Sequence, residues 1–262
     1  LLQTVDGIVQ HDFVFELQHA IEYQNWLETD RMSATYCSLE DLETLSVEHY
    51  KDYIPVGTIE FVYKFIDLFI QSNGSAGVLP QNIPFPLSEY DYTQRVIGNF
   101  ELTDALSRKG LYDYFNDYGC FDVFIKSNSK IKSLINGIYK LIDILDYNKI
   151  PNGCYQISET IDIASEYRCF VYKNELCGIQ YYSGDFKKFP DVSRIECMIG
   201  DYETYAPIAY TLDVALTTDN KTVIIEVHDF FSCGLYGFSD YQHLPYMFKR
   251  TFDNIKNRLT NE

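Results

Sequence analysis

Four stretches of the chain repeat apolar residues at the spacing of a helix. In residues 13–27 and 60–71, apolar side chains recur every three or four positions and would share one helix face. The same pattern over residues 244–259 predicts an amphipathic helix near the end of the sequence. Residues 87–115 also have helical texture, with Gly110 as an interruption. We therefore expect helices on both sides of a central region.

From residue 121 the pattern changes to short apolar runs separated by polar turns. The predicted strands cover residues 121–126, 137–142, 167–172, 175–182, 209–217 and 222–227. The last four form two hairpins, because short polar turns separate the members of each pair, at Lys173–Asn174 and at residues 218–221. Adjacent hairpins indicate an antiparallel sheet. Together with the helices, they place the chain in the α+β class.

Residues 72–86 are rich in glycine, serine, asparagine and proline, which is typical of a connector. We therefore divide the chain into an N-terminal domain, residues 1–86, and a second domain, residues 87–262. The sequence contains no internal repeat and no low-complexity tract.

The formal net charge of −17 over 262 residues predicts a strongly acidic surface. Such a surface repels nucleic-acid phosphates and anionic membranes, so we expect neither as a partner. A solvated surface explains the charge more simply than an acidic docking face does. No apolar run reaches the roughly 18 residues that a membrane-spanning helix needs.

The seven cysteines are scattered and contain no CxxC pair, which argues against a zinc ribbon and a disulfide framework. Reduced thiols fit a cytoplasmic location, and the start of the sequence does not look like a secretory signal. His243 has no partner at metal-ligand spacing and is expected to be structural or solvent-facing, as are His11, His19 and His49.

Asp213, Glu226 and His228 form the strongest candidate site in the sequence. Glu226 and His228 are two residues apart on one predicted strand, so their side chains point to the same face. Pairing of the last two strands through their turn would place Asp213 opposite Glu226 and Thr217 opposite Thr222. Facing carboxylates repel each other, at a cost of about 0.5 kcal/mol, unless a cation lies between them. The pattern predicts a magnesium site, with an exposed polar pair as the alternative.

This spacing resembles the metal-binding signature of the ATP-grasp superfamily, which includes D-alanine–D-alanine ligase and glutathione synthetase. Asp213 and Glu226 are 13 residues apart, as in that signature, but His228 stands where the family usually has Asn. The resemblance implies that Asp213, Glu226 and His228 hold Mg²⁺ against the phosphates of ATP. Because imidazole is a softer ligand than an amide oxygen, the neighbouring Asp229 could supply an oxygen instead.

Two further segments resemble nucleotide-binding parts of the same superfamily. Residues 158–171 resemble the hinge that runs along adenine and ribose, and residues 121–133 resemble a strand ending in lysine before a phosphate loop. The resemblance implies that ATP is bound by Lys126, Lys132, Ser158, Glu159, Ile161 and Glu166. It also implies catalytic roles for Lys126 and for Arg168, which would face phosphate or a substrate carboxylate. Taken alone, the two segments would be a polar strand and a lysine-rich surface turn.

The nearest resemblance within the superfamily is to a sparsely characterised clade common in bacteriophages. Its features are matched here by residues 166–168, by residues 226–228 and by the CysGlyLeuTyrGly segment at 233–237. The resemblance implies that substrate lies near Gly234 and Tyr236. For a phage-encoded protein it also implies the host cytoplasm.

The resemblance implies an ATP-grasp fold, in which two α+β subdomains within residues 87–262 sandwich ATP. Residues 1–86 would be a pre-ATP-grasp domain that helps to form the substrate site. The expected activity is ATP- and Mg²⁺-dependent joining of a carboxylate and an amine through an acyl phosphate. The substrates would be small molecules or a peptide or protein. Two alternatives stay open: a non-catalytic binding or inhibitory protein, and a kinase of a hydroxyl acceptor.

Overall fold

The computed structural model describes residues 1–28, 31–70, 82–128 and 135–260. In these ranges the helices are α1 (Asp12–Trp26), α2 (Val47–Tyr50), α3 (Ile59–Phe69), α4 (Tyr90–Thr93), α5 (Ala105–Asp117), α6 (Val192–Tyr202) and α7 (Leu244–Thr260). The strands are β1 (Leu2–Gln3), β2 (Tyr36–Cys37), β3 (Ile97–Leu102), β4 (Asp122–Ser127), β5 (Gly137–Lys140), β6 (Gly153–Glu159), β7 (Ile163–Tyr172), β8 (Glu175–Gly184), β9 (Ala209–Thr217) and β10 (Thr222–Asp229). Within the described ranges, none of the helices is both long and apolar enough to cross a membrane.

One antiparallel sheet, in the order β10-β9-β7-β8, is buried between two apolar layers. Every residue of β9 is buried, because α6 covers one face while α1 and α7 cover the other. The predicted β7–β8 hairpin is confirmed, and its turn residues Lys173 and Asn174 have φ angles of 53° and 62°. Asparagine tolerates this left-handed conformation well, which favours a tight turn here.

The second antiparallel sheet, in the order β3-β6-β4-β5, is covered on one face only by α5 and the 3-10 helix Leu141–Leu145. Val123 and Ile125 of β4 face this apolar layer and are fully buried. On the opposite face, Phe124 is 38% exposed and Ile138 is 67% exposed. The alternation along β4 therefore leaves an apolar surface available to line a cleft.

The predicted helix over residues 87–115 is wrong in its central part. Strand β3 separates α4 from α5 and pairs with β6 along its whole length. Asp104 then starts α5 by accepting a hydrogen bond from the Ser107 amide, and the Ser107 hydroxyl accepts one from the Asp104 amide. This capping box fixes a helix start after β3, and Gly110 lies inside α5 rather than interrupting it. Pairing with a distant strand outweighed the local helical pattern.

The N-terminal region packs against the C-terminal half of the chain. Phe13 and Leu17 of α1 share an apolar cluster with Phe170 and Phe248. Asn82 forms a β-bridge with Val227, next to the second sheet. Residues 71–81, which include most of the predicted connector, lie outside the described part of the chain. The domain boundary at residue 86 stays a prediction.

Candidate functional site

A cleft of about 310 Å³ lies between the two four-stranded sheets. Its apolar walls come from both sheets and from the segment between β6 and β7, and they include Ile97, Phe124, Ile138, Ile161, Ile163 and Ile225. Its polar lining includes Lys126, Ser158, Glu159, Glu166 and Glu226. The fold thus collects residues from distant parts of the sequence into one concave surface. Another cleft, of about 520 Å³ between α1 and the start of α7, contains none of the predicted site residues.

Two carboxylates and two cations meet at the polar end of the first cleft. Arg168 binds Asp213 through both guanidinium branches, with Nε–Oδ1 and Nη2–Oδ2 distances of 2.8 and 2.7 Å. Lys126, which ends the buried part of β4, forms an ion pair with Glu226 across the gap between the sheets. The Nη2 atom of Arg168 lies 3.9 Å from Oε1 of Glu226. The four side chains therefore form one connected network.

Burial and ionic partners shift the titration of these groups in different directions. Burial raises the pKa of Asp213 to about 6, against the lowering effect of its hydrogen bonds with Arg168. Burial also opposes ionisation of Glu226, but the positive charge of Lys126 holds its pKa below the usual value. Burial would lower the pKa of Arg168, and the hydrogen bonds that it donates to Asp213 raise it instead. A positive partner thus compensates each carboxylate, as low-dielectric surroundings require.

A β-bulge in β10 places Glu226 opposite Asp213. Thr222 pairs with Leu216 rather than with Thr217, so the predicted register is wrong near the turn. The register then shifts between Ile224 and Glu226, because Ile225 is an extra residue on β10, and Glu226 pairs with Asp213 as predicted. Without this bulge, an apolar side chain would face Asp213.

Arg95 holds the backbone beside this bulge. Its Nη1 atom donates hydrogen bonds to the Ile224 carbonyl at 3.0 Å and to the Thr93 carbonyl at 3.1 Å. Arg95 is buried, and burial lowers its pKa to about 10. By contrast, Arg108 bonds the carbonyl of Ile144 beneath the second sheet, and Lys109 pairs with Asp113 on the surface. Of the three cations without a clear role in the sequence, Arg95 is the one that lines the cleft.

His228 shares the network but differs chemically from the two carboxylates. It is buried, its Nδ1 atom lies 3.0 Å from the Asp229 carbonyl oxygen, and burial together with Arg168 lowers its pKa to about 4. The neutral imidazole is a softer ligand than Mg²⁺ prefers. The alternative ligand Asp229 points to the opposite face of β10 and forms an ion pair with Arg258 at 2.9 Å. Asp229 is therefore not placed to join Glu226 at one ion.

The other end of the cleft contains the residues expected around adenine and ribose. Glu159 closes β6, and its backbone N–H donates to the Val96 carbonyl at 2.8 Å. Glu166 accepts a hydrogen bond from the Tyr182 hydroxyl at 3.0 Å. Burial and the charge of Asp213 raise the pKa of Tyr182, so its hydroxyl remains a donor. Ser158 and Ile161 also line this end, which agrees with the sequence-based expectation.

The segment with Gly234 and Tyr236 closes the site beside Arg168. The Gly234 carbonyl accepts a hydrogen bond from Arg168 Nη1 at 3.2 Å, and the Tyr236 ring stacks on Tyr182 with centroids 5.1 Å apart. Asp12, at the start of α1, accepts hydrogen bonds from the Leu235 and Tyr236 amides at 2.7 and 3.1 Å. Nothing in the sequence links Asp12 to this segment, 223 residues away, because only packing of α1 brings it there.

Gln156 is a second residue that sequence analysis missed. Its side-chain amide accepts from the Ile83 N–H and donates to the Ile83 carbonyl, both at 2.8 Å. Since Asn82 bonds β10 and Gln156 belongs to β6, this short segment connects the two sheets beside the cleft. A buried glutamine in an otherwise apolar strand was the signal available in the sequence. Lys132 lies outside the described residues.

Comparisons with known proteins agree with this geometry. Residues 110–245, about half of the chain, match the model of an ATP-grasp domain family, described as family 2 of its clade. No curated protein sequence matches the chain.

Solved structures match the whole chain. A crystal structure of D-cycloserine synthetase has a TM-score of 0.60 and 10% identity, covering 98% of each chain. An ATP-grasp RimK domain protein from Sphaerobacter thermophilus has a TM-score of 0.55 and 14% identity, covering 99% of this chain and 98% of its own. The D-alanine–D-alanine ligase of Bacillus anthracis, solved with ATP, has a TM-score of 0.54 and 13% identity, covering 100% of this chain and 98% of its own. At these identities the likeness shows the fold. With the matched family, it means that this chain has the ATP-grasp fold and belongs to that family of ATP-grasp domains.

Proposed function

We propose that the protein is an ATP- and Mg²⁺-dependent ligase that joins a carboxylate to an amine through an acyl phosphate. The observation that carries this proposal is the network of Lys126, Arg168, Asp213 and Glu226 at the polar end of an apolar cleft. Phosphoryl transfer needs positioned cations and metal-binding carboxylates more than it needs a nucleophilic side chain. This site offers both.

ATP would enter the cleft with its base against the apolar walls. Ser158, Glu159 and Ile161 line the end proposed for adenine, and Glu166 is placed to accept the ribose hydroxyls. The phosphates would then extend toward Lys126, which would exchange its pairing with Glu226 for the phosphate oxygens. From the family resemblance, Lys132 would add a second positive charge.

Asp213 and Glu226 fit a magnesium site because they supply hard oxygen ligands from two paired strands. Mg²⁺ held there would neutralise part of the phosphate charge during transfer. His228 remains a proposed ligand, although its neutral imidazole is the least suited of the three. Arg168 keeps Asp213 oriented through its two hydrogen bonds.

The substrate carboxylate would bind beside Arg168, between Gly234 and Tyr236. Its oxygen would attack the γ-phosphorus of ATP and release ADP. The amine would then attack the acyl carbon and release phosphate. Lys126 and Arg168 would stabilise the negative charge that develops on the transferred group. Exclusion of water protects an acyl phosphate from hydrolysis, which the enclosed apolar walls favour.

The identities of donor and acceptor stay open between small molecules and a peptide or protein. A bacteriophage source and a cytoplasmic location also remain predictions. The non-catalytic alternative is favoured by one observation: Lys126 and Arg168 already compensate both carboxylates. A hydroxyl kinase would use the same site and stop after phosphoryl transfer.

The decisive experiment is calorimetric titration of ATP, with and without Mg²⁺, into the wild type and the Glu226→Gln variant. Glu196→Gln, an exposed position on α6, is the matched control. We expect magnesium-dependent binding that is lost in Glu226→Gln and kept in Glu196→Gln. A screen of carboxylates and amines for ADP release and amide product then separates a ligase from a kinase. Absence of ATP binding in the wild type would contradict the proposal and favour the non-catalytic protein.

A further inference from the structure

A thiol, a carboxylate and an imidazole meet at the outer edge of the buried sheet, outside the ATP cleft. Potential ligand atoms of Cys177, Asp240 and His243 all lie within 4.8 Å of one another. Cys177 belongs to the edge strand β8, and the other two residues lie just before α7. None of the three lines the cleft of the proposed nucleotide site. Sequence analysis found no partner for His243, because its neighbour Cys177 is 66 positions earlier in the chain.

A β-bulge and a packed aromatic base position Cys177. Strand pairing shifts from Val171–Leu176 to Phe170–Gly178, so Cys177 is the extra residue of β8. The next residue, Gly178, touches the Phe238 ring so closely that an added Cβ would lie 2.8 Å from it. Phe238 in turn stacks on Phe170, with ring centroids 4.1 Å apart. The segment that leads to Asp240 is therefore fixed against the strand that carries the thiol.

Asp240 and His243 are held in place where the chain enters α7. One oxygen of Asp240 accepts hydrogen bonds from the Gln242 and His243 amides, at 3.1 and 3.2 Å. The other oxygen lies 2.7 Å from Nδ1 of His243. Helix capping explains these two contacts, but it does not explain the thiol beside them. Among the described residues, no lysine or arginine forms an ion pair with Asp240.

The electrostatics of the cluster favour a cation. Burial raises the pKa of the Cys177 thiol, and the negative charge of Asp240 raises it further. A divalent ion between the two groups reverses this effect, since it attracts thiolate and carboxylate together. His243 is exposed and Asp240 is partly exposed, so solvent reaches the cluster from one side.

We propose that Cys177, Asp240 and His243 form a Zn²⁺ site with three protein ligands and one position for water. Sulfur, nitrogen and oxygen donors together suit zinc and not magnesium, which prefers oxygen alone. Binding releases the Cys177 thiol proton and forms a zinc–thiolate bond. The ion fastens the segment carrying Gly234 and Tyr236 to β8. The site is independent of the proposed nucleotide chemistry.

The test uses the full chain, stripped of metal with a chelator and titrated with Co²⁺ as a spectroscopic substitute for Zn²⁺. We expect one equivalent to bind with a thiolate-to-cobalt charge-transfer band, which excess Zn²⁺ removes. Sites made of carboxylates and imidazole alone give no such band, so binding at Asp213 and Glu226 does not contribute. Cys177→Ser should abolish the band, whereas Cys197→Ser, an exposed cysteine on α6, should keep it.

His243→Gln and Asp240→Asn provide the second arm of the test. Each should weaken Co²⁺ affinity at least about tenfold, because even the outer partners of metal ligands contribute that much. Circular dichroism checks that each variant is folded. An unchanged band in Cys177→Ser, unchanged affinity in both other variants, or no band in the wild type would overturn the proposal.

Discussion

The two four-stranded sheets contribute to the site in different ways. The sheet β10-β9-β7-β8 is covered on both faces and carries Arg168, Asp213 and Glu226 in adjacent strands. The sheet β3-β6-β4-β5 is covered on one face, and its other face supplies Lys126 and an apolar wall with Phe124 and Ile138. One sheet fixes charged groups by burial, and the other presents a surface that a ligand can cover.

This difference teaches where binding energy and folding energy are coupled. In the buried sheet, the ionic residues are also part of the packing, so their removal disturbs both stability and chemistry. On the half-covered sheet, exposed apolar residues contribute little to folding and gain burial only when a ligand arrives. The predictions below test this division, beginning with the largest expected effect.

Asp213→Ala should lower the free energy of unfolding by about 3–5 kcal/mol, because Arg168 would be left buried without its bidentate partner. Lys126→Met, on the other sheet, should lower it by about 1 kcal/mol or less, since Glu226 retains a side-chain exposure of 20%. Urea denaturation of both variants measures the difference. Equal losses would show that the two sheets do not differ in this way.

Glu226→Gln should reduce ATP turnover by about 10²–10³-fold, the usual effect of removing one group that stabilises developing charge. Its thermal midpoint should stay close to that of the wild type, because the amide keeps the size of the carboxylate. Release of ADP in the presence of a carboxylate and an amine measures the loss. Glu196→Gln should turn over ATP like the wild type.

Val214→Ala and Ile138→Ala compare an apolar residue on each sheet. Val214 is fully buried in β9, so its truncation should lower the free energy of unfolding by about 2 kcal/mol. Ile138 is 67% exposed, so its truncation should leave stability nearly unchanged and weaken ATP binding by about fivefold. Denaturation and calorimetry on both variants separate the effects. A stability loss without a binding change in Ile138→Ala would remove that residue from the proposed ATP wall.

His228→Asn should produce the smallest change and shows how far the buried sheet tolerates new chemistry. An amide oxygen suits Mg²⁺ better than a neutral imidazole does, so the Mg²⁺ concentration needed for ATP binding should fall by about threefold. Titration of Mg²⁺ at fixed ATP measures this shift. An increase in the required Mg²⁺ would instead indicate that His228 already serves the ion well.

The elements with regular patterns were predicted well from the sequence. The hairpins β7–β8 and β9–β10, helix α1 and helix α7 lie where the spacing of apolar residues placed them. Strand β3 was missed because its local pattern is helical and its pairing partner, β6, is about fifty residues away. Local periodicity cannot reveal such a partner.

The acidic pair was also predicted from the sequence, but its register was decided elsewhere. Asp213 faces Glu226 only because of the bulge at Ile225, and the buried Arg95 bonds the backbone beside that bulge. Asp12 and Gln156 support the site from distant positions that no spacing rule connects to it.

The sequence by itself determined the order of the strands along the chain, the identity of the charged residues and their resemblance to the ATP-grasp signature. These features are local, because they depend on alternation, turn residues and short spacings. The tertiary structure decided which cation meets which carboxylate, that Asp229 turns toward Arg258, and that Cys177 approaches His243. Each of these contacts joins residues from different elements, so only the packing of those elements brings them together.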